Sequence, residues 1–318
     1  MADEARSVRD AGTERVQASG AIAAYEVVQL PSGKAGVLDR ATGISSGQYG
    51  LYSTDGTWNL VKTSGFSALR GGRAYWDHSA NAVNYKKMND RDFYIGRFAE
   101  DSASSNTQCV VLLNEDPPYD IDVARDPHET VIVGTQGLNT MGVFRRGGAH
   151  KFILSTANEA QKLDILSKDG FANDANAIIE FAFEVVDDGA GTAVDVSVGV
   201  ASGTNATDAD AIASSIFMHL DANATPINLE SDDGVTEVAA TDTTSDYVLG
   251  SRHEVWIDMR DPADVQIYFD GVLQLAATTF DVSANAVPLY LLCHIEKTAS
   301  TDAYEFDLEW LRARFVEQ

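Results

Sequence analysis

Between residues 47 and 96 the apolar and aromatic positions come in short bursts, each closed by glycine or by an Asx pair: Tyr49-Gly-Leu-Tyr52, Trp58-Asn-Leu-Val61, Ala74-Tyr-Trp-Asp77 and Phe93-Tyr-Ile-Gly96. Runs of about four to six residues separated by turn formers predict short β-strands. Asp55-Gly56 predicts a tight hairpin, with positive φ at both central residues. Upstream, Tyr25-Glu-Val-Val-Gln-Leu30 and Ala35-Gly-Val-Leu38 flank a Pro31-Ser-Gly33 turn. Downstream the alternation is longer and cleaner. Val194-Asp-Val-Ser-Val-Gly-Val200 places every valine on one face, and Ile178 to Val186 reads as a strand joined to it by the Asp187-Asp-Gly-Ala-Gly191 loop. Val255, Ile257 and Met259 share a face, as do Val265, Ile267 and Phe269, and Asp270-Gly271 turns the chain back. Leu289-Tyr-Leu-Leu-Cys-His-Ile295 predicts a strand buried on both sides, and Phe306-Asp-Leu-Glu-Trp310 closes the chain as another alternating strand.

Helical periodicity is lacking throughout, so the fold class expected is all-β: a small N-terminal β-barrel-like domain followed by a larger antiparallel jelly-roll β-sandwich. Residues 1–15 mix charges of both signs with almost no large apolar side chain and predict a flexible N-terminal arm. Residues 16–114 form the first domain and 150–318 the second. The stretch 115–149, with Pro117-Pro118 and the Gly147-Gly148 pair, predicts a linker or junction, since proline lacks the amide a ladder needs.

Charge sharpens this division. The chain holds 23 Lys+Arg and 48 Asp+Glu, a net −25. Residues 1–114 contain 12 basic and 12 acidic residues, so 115–318 contain 23 − 12 = 11 basic and 48 − 12 = 36 acidic and carry the whole excess. A neutral half suited to docking and an acidic half suited to solvent follow from this asymmetry. Nucleic acid is not an expected partner of the acidic half, because phosphate contacts need clustered Lys and Arg. No apolar run approaches the roughly 18 residues of a membrane span, and no apolar signal-peptide core opens the chain, so no membrane is expected and synthesis in a host cytoplasm is.

The search for chemistry yields little. Cys109 and Cys293 lie in apolar strand-like runs and read as small hydrophobes. Gly33-Lys34 fails as a phosphate loop, with Val28 at the first glycine position and Ala35 at the Ser/Thr position. The six histidines, His78, His128, His150, His219, His253 and His294, show no metal-ligand spacing. His253-Glu254 reads as a strand-edge pair. Asp187-Asp188, Asp208-Ala-Asp210 and Asp232-Asp233-Gly234 offer loop oxygens that suit calcium but read as solvated turn acids. We therefore expect no catalytic residue, no cofactor and no metal, and a protein that is not an enzyme.

The order of short motifs from Ala18-Ser-Gly-Ala-Ile-Ala-Ala-Tyr-Glu-Val-Val28 through Ala35-Gly-Val-Leu, Gly47-Gln-Tyr-Gly-Leu-Tyr, Trp58-Asn-Leu-Val-Lys, Leu69-Arg-Gly-Gly-Arg-Ala-Tyr-Trp-Asp77 and Tyr94-Ile-Gly-Arg-Phe to Gln108-Cys-Val-Val-Leu-Leu113 resembles the phage head decoration, or cement, proteins. The resemblance covers residues 16–114. It implies a capsid decoration protein, a homotrimer on the outer surface of the virion that docks on the major capsid protein and stabilises the head. Candidates for docking are Arg6, Arg9, Trp58, Arg70, Arg73 and Trp76. The run His253-Glu-Val-Trp-Ile-Asp-Met and Val265-Gln-Ile-Tyr-Phe-Asp-Gly271 resembles the concanavalin-like or laminin-G-like sandwiches. That likeness opens an alternative function, an adhesin whose sandwich recognises a host glycan.

Overall fold

The computed structural model describes residues 5–7, 12–135, 137–142, 149–206 and 208–316. The chain divides into two compact units, residues 1–118 and 119–318, and its described regular structure is β except for one 3-10 turn at Ala209–Ala211.

Among its described residues the first unit contains ten strands: β1 (Ala5–Ser7), β2 (Thr13–Gln17), β3 (Val27–Gln29), β4 (Ala35–Leu38), β5 (Tyr49–Ser53), β6 (Thr57–Val61), β7 (Arg73–Asp77), β8 (Ala82–Asn84), β9 (Phe93–Phe98) and β10 (Gln108–Leu113). They form an antiparallel six-stranded sheet in the order β1-β6-β10-β9-β7-β8 and a four-stranded one, β2-β5-β4-β3. Trp58, Trp76, Ile95, Phe98 and Val111 fill the interior of the larger sheet, while Leu30, Leu38, Ile44 and Tyr52 form the core of the smaller. Asn114, in left-handed backbone just after β10, joins the two: its Oδ1 accepts from the Ala35 amide at 2.9 Å and its Nδ2 donates to Ala35 O and Thr54 O. Gly96 is required in β9, since at φ +140° a Cβ would stand 2.0 Å from Leu112 O. At the Asp55-Gly56 turn only Gly56 takes positive φ, so the turn is not of the type expected.

Two expectations about organisation are corrected. The segment read as a flexible arm supplies β1, paired along Trp58–Leu60, and the first three residues of β2, which pairs along Tyr49–Ser53; ladder hydrogen bonds hold what its own side chains could not. Residues 1–4 and 8–11 lie outside the described residues. Of the segment read as a linker, residues 115–118 fall in the first unit and the rest in the second, which starts at Tyr119, ahead of the expected His150.

That unit adds β11 (Ile121–Asp122), β12 (His128–Val133), β13 (Gly137–Gly142), β14 (Ala149–Leu154), β15 (Glu159–Phe171), β16 (Ala177–Asp187), β17 (Val194–Ala201), β18 (Ser215–Asp221), β19 (Pro226–Asp232), β20 (Glu237–Asp246), β21 (Arg252–Asp258), β22 (Gln266–Phe269), β23 (Val272–Leu273), β24 (Leu289–Ser300) and β25 (Tyr304–Phe315). One sheet runs β13-β14-β25-β16-β21-β22-β23, with β11 also on β25; the other runs β12-β15-β24-β17-β18-β19-β20. The linker prolines end before these pairings begin, and β12 is free to bind β15 from His128 to Val133.

The two sheets pack face to face over one apolar core. Phe181, Phe183, Val255, Ile257, Phe306 and Leu308 enter it from one side, and Leu163, Ile165, Val196, Val198, Met218, Leu291 and Cys293 from the other. Alternation explains most of this partition. A bulge in β25 breaks it: Ala182 faces Trp310 but Phe183 faces Leu308, so Leu308 and Leu311 both turn inward and Trp310 turns out. There Arg252 and Arg312 stack over the Trp310 ring at 4.6 and 5.0 Å. The same outer face holds two buried ion pairs, Arg312 with Asp122 and Arg314 with Glu180.

Candidate functional site

Two places merit description as sites: the exposed surface of the first unit, and the outer face of the seven-stranded sheet in the second.

In the first unit Trp58 and Trp76 are 0% and 1% exposed. Both indoles are core, so neither is a docking anchor; aromatic richness in these short strands is what closes a small core. Arg70 is exposed and Arg73 half-buried on β7. Arg6 sits in β1, its side chain outside the described residues, and Arg9 lies outside them altogether. The exposed apolar surface is elsewhere. Tyr49 and Leu51, 56% and 53% exposed, project from the same face of β5, and Arg15 of β2 faces Leu51 and stacks over the Tyr49 ring at 4.6 Å. The 2-residue spacing of Tyr49 and Leu51 in the sequence was the available signal for this face.

In the second unit the core faces of β15, β24, β17, β18 and β19 are apolar, so the alternate positions form the opposite face. The register aligns them in rows. Asp164 pairs with His294, His294 with Ser197, Ser197 with His219, and His219 with Asn228. Beside that row runs Lys162, Glu296, Asp195 and Asp221. A small apolar patch, Ala201, Phe217 and Leu292, carries Ala209 and Ile212 from the β17–β18 connection and so holds this connection against the sheet. Lys162 Nζ ties it further by donating to Asn205 O. The near ends of the rows are buried, with Asp164, His294 and Ser197 at most 1% exposed, whereas Asp195 and Glu296 are half-buried and Asp221 is exposed.

These charges perturb one another. Burial lowers the basicity of His294, but Asp164 Oδ1 at 2.7 Å and Glu296 Oε2 at 3.3 Å overcome it and raise the imidazole to about 9. His219 is likewise opposed by burial and driven up to about 11 by Asp210 and Glu230. Burial raises Asp195 to about 6 despite the neighbouring His219. Three acids therefore surround His219 Nδ1 and Nε2: Asp210 Oδ1 at 3.5 Å, Glu230 Oε1 at 3.8 Å and Asp221 Oδ1 at 3.2 Å. Asp210, His219 and Glu230, or Asp195, His219 and Asp221, bring their donor atoms within 4.8 Å of one another, close enough to share a cation.

Of the loop acids read as solvated turn acids, Asp233, Asp187 and Asp208 serve the backbone. Asp233 Oδ1 accepts from the Val235 and Thr236 amides, Asp187 Oδ1 from the Gly189 amide, and Asp208 Oδ1 from the Asp210 amide. His253 Nδ1 lies 2.9 Å from Asp270 Oδ2, and its Nε2 accepts from the Val248 amide, a clamp on the Asp270-Gly271 hairpin.

The family model for phage cement proteins matches residues 8–113. The matched stretch is the first unit almost to its end, and it spans the neutral third of the chain. No curated protein matches this chain. Among solved structures, the carbohydrate recognition domain of Emp47p is 13% identical, covering 62% of this chain and 94% of that one with a TM-score of 0.43. A carbohydrate esterase of the Shiga toxin-encoding bacteriophage phi24B is 13% identical, covering 60% and 90% with a TM-score of 0.37. The Bacteroides ovatus mixed-linkage glucan GH16 protein is also 13% identical, covering 56% and 85% with a TM-score of 0.40. At this level nothing about ligand or activity transfers from them.

Within the cement-like stretch, the sequence pointed to arginines and tryptophans, and the fold separates those it describes: Arg70 is exposed and Arg73 half-buried, whereas Trp58 and Trp76 are core. The sequence reading missed the acid–imidazole rows of the sandwich. Its signal was faint: Asp195 and Ser197 alternate with valines in β17, and Ser215, His219 and Asp221 with apolar residues in β18, but Gly199 and Phe217 interrupt the polar series.

Proposed function

We propose that this chain is a virion structural protein, a capsid decoration protein whose first unit docks on the major capsid protein lattice while the acidic sandwich faces solvent. The observation that carries this reading is the cement-family match over residues 8–113. The charge division supports it: a first unit that nets only −2, with 12 basic and 14 acidic residues, meets a lattice with little electrostatic penalty, whereas a second unit at −23, with 11 basic and 34 acidic residues, favours water and repels its copies. The docking face we assign is Arg15, Tyr49 and Leu51, where two apolar side chains and a guanidinium stand exposed on adjacent strands. Docking stabilises the head by mass action, because surface buried across capsomer seams is available only in the assembled shell. Many copies of a modest contact act together, most simply as homotrimers on the outer surface.

The test is co-sedimentation of the full-length protein with capsids that lack it, together with its solution mass. Saturable pelleting by a trimer supports the reading. Failure of the wild-type protein to pellet with any capsid of its own phage overturns it. Glycan recognition would be favoured by an exposed aromatic beside a loop carboxylate, but Trp256 and Trp310 of the sandwich are 6% and 7% exposed.

A further inference from the structure

The structure assigns a binding site for one divalent transition-metal ion to Asp210, His219 and Glu230, on the outer face of the seven-stranded sheet. Each ligand comes from a different element: Asp210 from the 3-10 turn, His219 from β18 and Glu230 from β19. The site is independent of capsid docking.

Spacing is the first argument. Asp210 Oδ1 and Glu230 Oε1 lie 3.5 and 3.8 Å from His219 Nδ1. Charge-assisted hydrogen bonds between such groups close to about 2.7–2.9 Å. Metal bonds of about 2.0–2.2 Å at tetrahedral angles hold their donor atoms roughly 3.3–3.6 Å apart. The observed separations thus fit the edges of a coordination shell better than direct contacts.

Glu230 supplies the second. Its side chain is 8% exposed, and among the described residues its Oε1 accepts no hydrogen bond. A carboxylate oxygen buried in that condition is costly unless a cation meets it, and the charged His219 ring approaches it only to 3.8 Å, beyond hydrogen-bond reach. With an imidazolium, Asp210 and Glu230 together leave the cluster at −1; with a neutral imidazole and a divalent ion the three ligands balance to zero.

The far side of the ring supplies the third. His219 Nε2 lies 3.2 Å from Asp221 Oδ1, and Asp221 Oδ2 accepts from Asn228 Nδ2 at 3.3 Å. A carboxylate holding the Nε2 proton is the arrangement that orients a metal-ligating imidazole and fixes the tautomer with Nδ1 free. For this reason the ion belongs on Nδ1, and not on Nε2 between Asp195 and Asp221. Ser197 Oγ is hydrogen-bonded to Nδ1 at 3.3 Å, donating to it in this tautomer, and yields that position when the ion binds. An imidazole among the donors selects Zn²⁺ or its neighbours over Ca²⁺ and Mg²⁺, which take oxygen shells. The ion would fasten the β17–β18 connection to the sheet at Asp210.

The experiment uses full-length protein dialysed against chelator, titrated calorimetrically with ZnCl₂ and followed by thermal melting, with CaCl₂ and MgCl₂ as controls. We expect one equivalent of Zn²⁺ bound, a rise in the melting temperature, and neither effect from the controls. Asp210→Asn, a half-exposed turn residue whose loss leaves the sheets intact, and Glu230→Gln should each weaken Zn²⁺ by about 100-fold or more. Asp221→Asn should weaken it by about 10–100-fold, and Asp195→Asn should leave it within about 2-fold. Co²⁺ in place of Zn²⁺ should give the intense visible absorption of a tetrahedral site in wild type and lose it in Asp210→Asn. Absence of binding by the wild-type protein, undiminished binding by Asp210→Asn, or loss of binding in Asp195→Asn would each overturn the assignment.

Discussion

Asp164 Oδ1 stands 2.7 Å from His294 Nδ1, with both side chains at 1% exposure or less and Lys162 Nζ 3.0 Å from the other carboxylate oxygen. A buried carboxylate is held here between two cations on adjacent strands. The pair lies on the face of the sheet that alternation alone would assign to water.

Stability of the sandwich should fall as pH rises. His294 is raised in the fold to about 9 from an ordinary 6.5, so its contribution is complete below about 6.5 and is lost as pH climbs through about 9. Asp195, raised to about 6, acts in the same direction at lower pH, since its neutral form is the one the fold favours. Urea unfolding should lose on the order of 3 kcal/mol from His294 between about pH 6 and pH 10, with a further loss in the same direction from His219, and His294→Gln should remove the His294 share of that slope. A flat profile in the wild-type protein would refute the assignment of charge to His294.

Arg314 and Glu180 form a buried ion pair on the outer face of the other sheet, where Tyr119 also donates to Glu180 at 2.7 Å. Arg314→Met alone strands the carboxylate and should cost about 3–5 kcal/mol, whereas adding Glu180→Leu should recover much of the loss. Chemical denaturation of the double-mutant cycle measures the coupling.

Docking should depend on the Arg15–Tyr49–Leu51 face and not on the tryptophans directly. Tyr49→Ser with Leu51→Ser should leave the melting temperature within a few degrees and lower capsid occupancy in co-sedimentation by about tenfold or more. Trp58→Ala should act differently, destabilising the first unit by about 3–5 kcal/mol, because a fully buried indole leaves a cavity.

Neither thiol should react in the folded protein. Burial pushes Cys109 up to about 12, despite the help of Lys62, and drives Cys293 well above the ordinary thiol range. A thiol-specific chromogenic reagent should find no reactive cysteine under native conditions and two per chain in denaturant.

Gly199 should resist substitution. A Cβ there would meet Ile216 O at 2.1 Å across β17 and β18. Gly199→Ala should lower stability by at least about 2 kcal/mol, read from a denaturant midpoint, as the strands are forced apart.

The short turn-bounded runs of the first unit and the alternating valines and phenylalanines of the second determined the all-β class, the strand positions and which residues face the core. Period-2 patterning and turn chemistry are local, so one chain segment suffices to read them. Asp270 and Gly271 both take positive φ, as that dipeptide predicted. Tertiary structure decided the rest. Pairing with distant partners drew residues 5–7 and 121–133 into sheets, because ladder bonds compensate for what those segments lack in apolar side chains. The bulge beside Trp310 reversed the parity of β25, a one-residue event that alternation cannot anticipate. Only the register across four strands set Asp164, His294, Ser197 and His219 in a row, and the β17–β18 connection packs against the same face of that sheet. Alternation specifies the face on which a side chain stands, but its neighbours and its solvent come from residues far away in the chain.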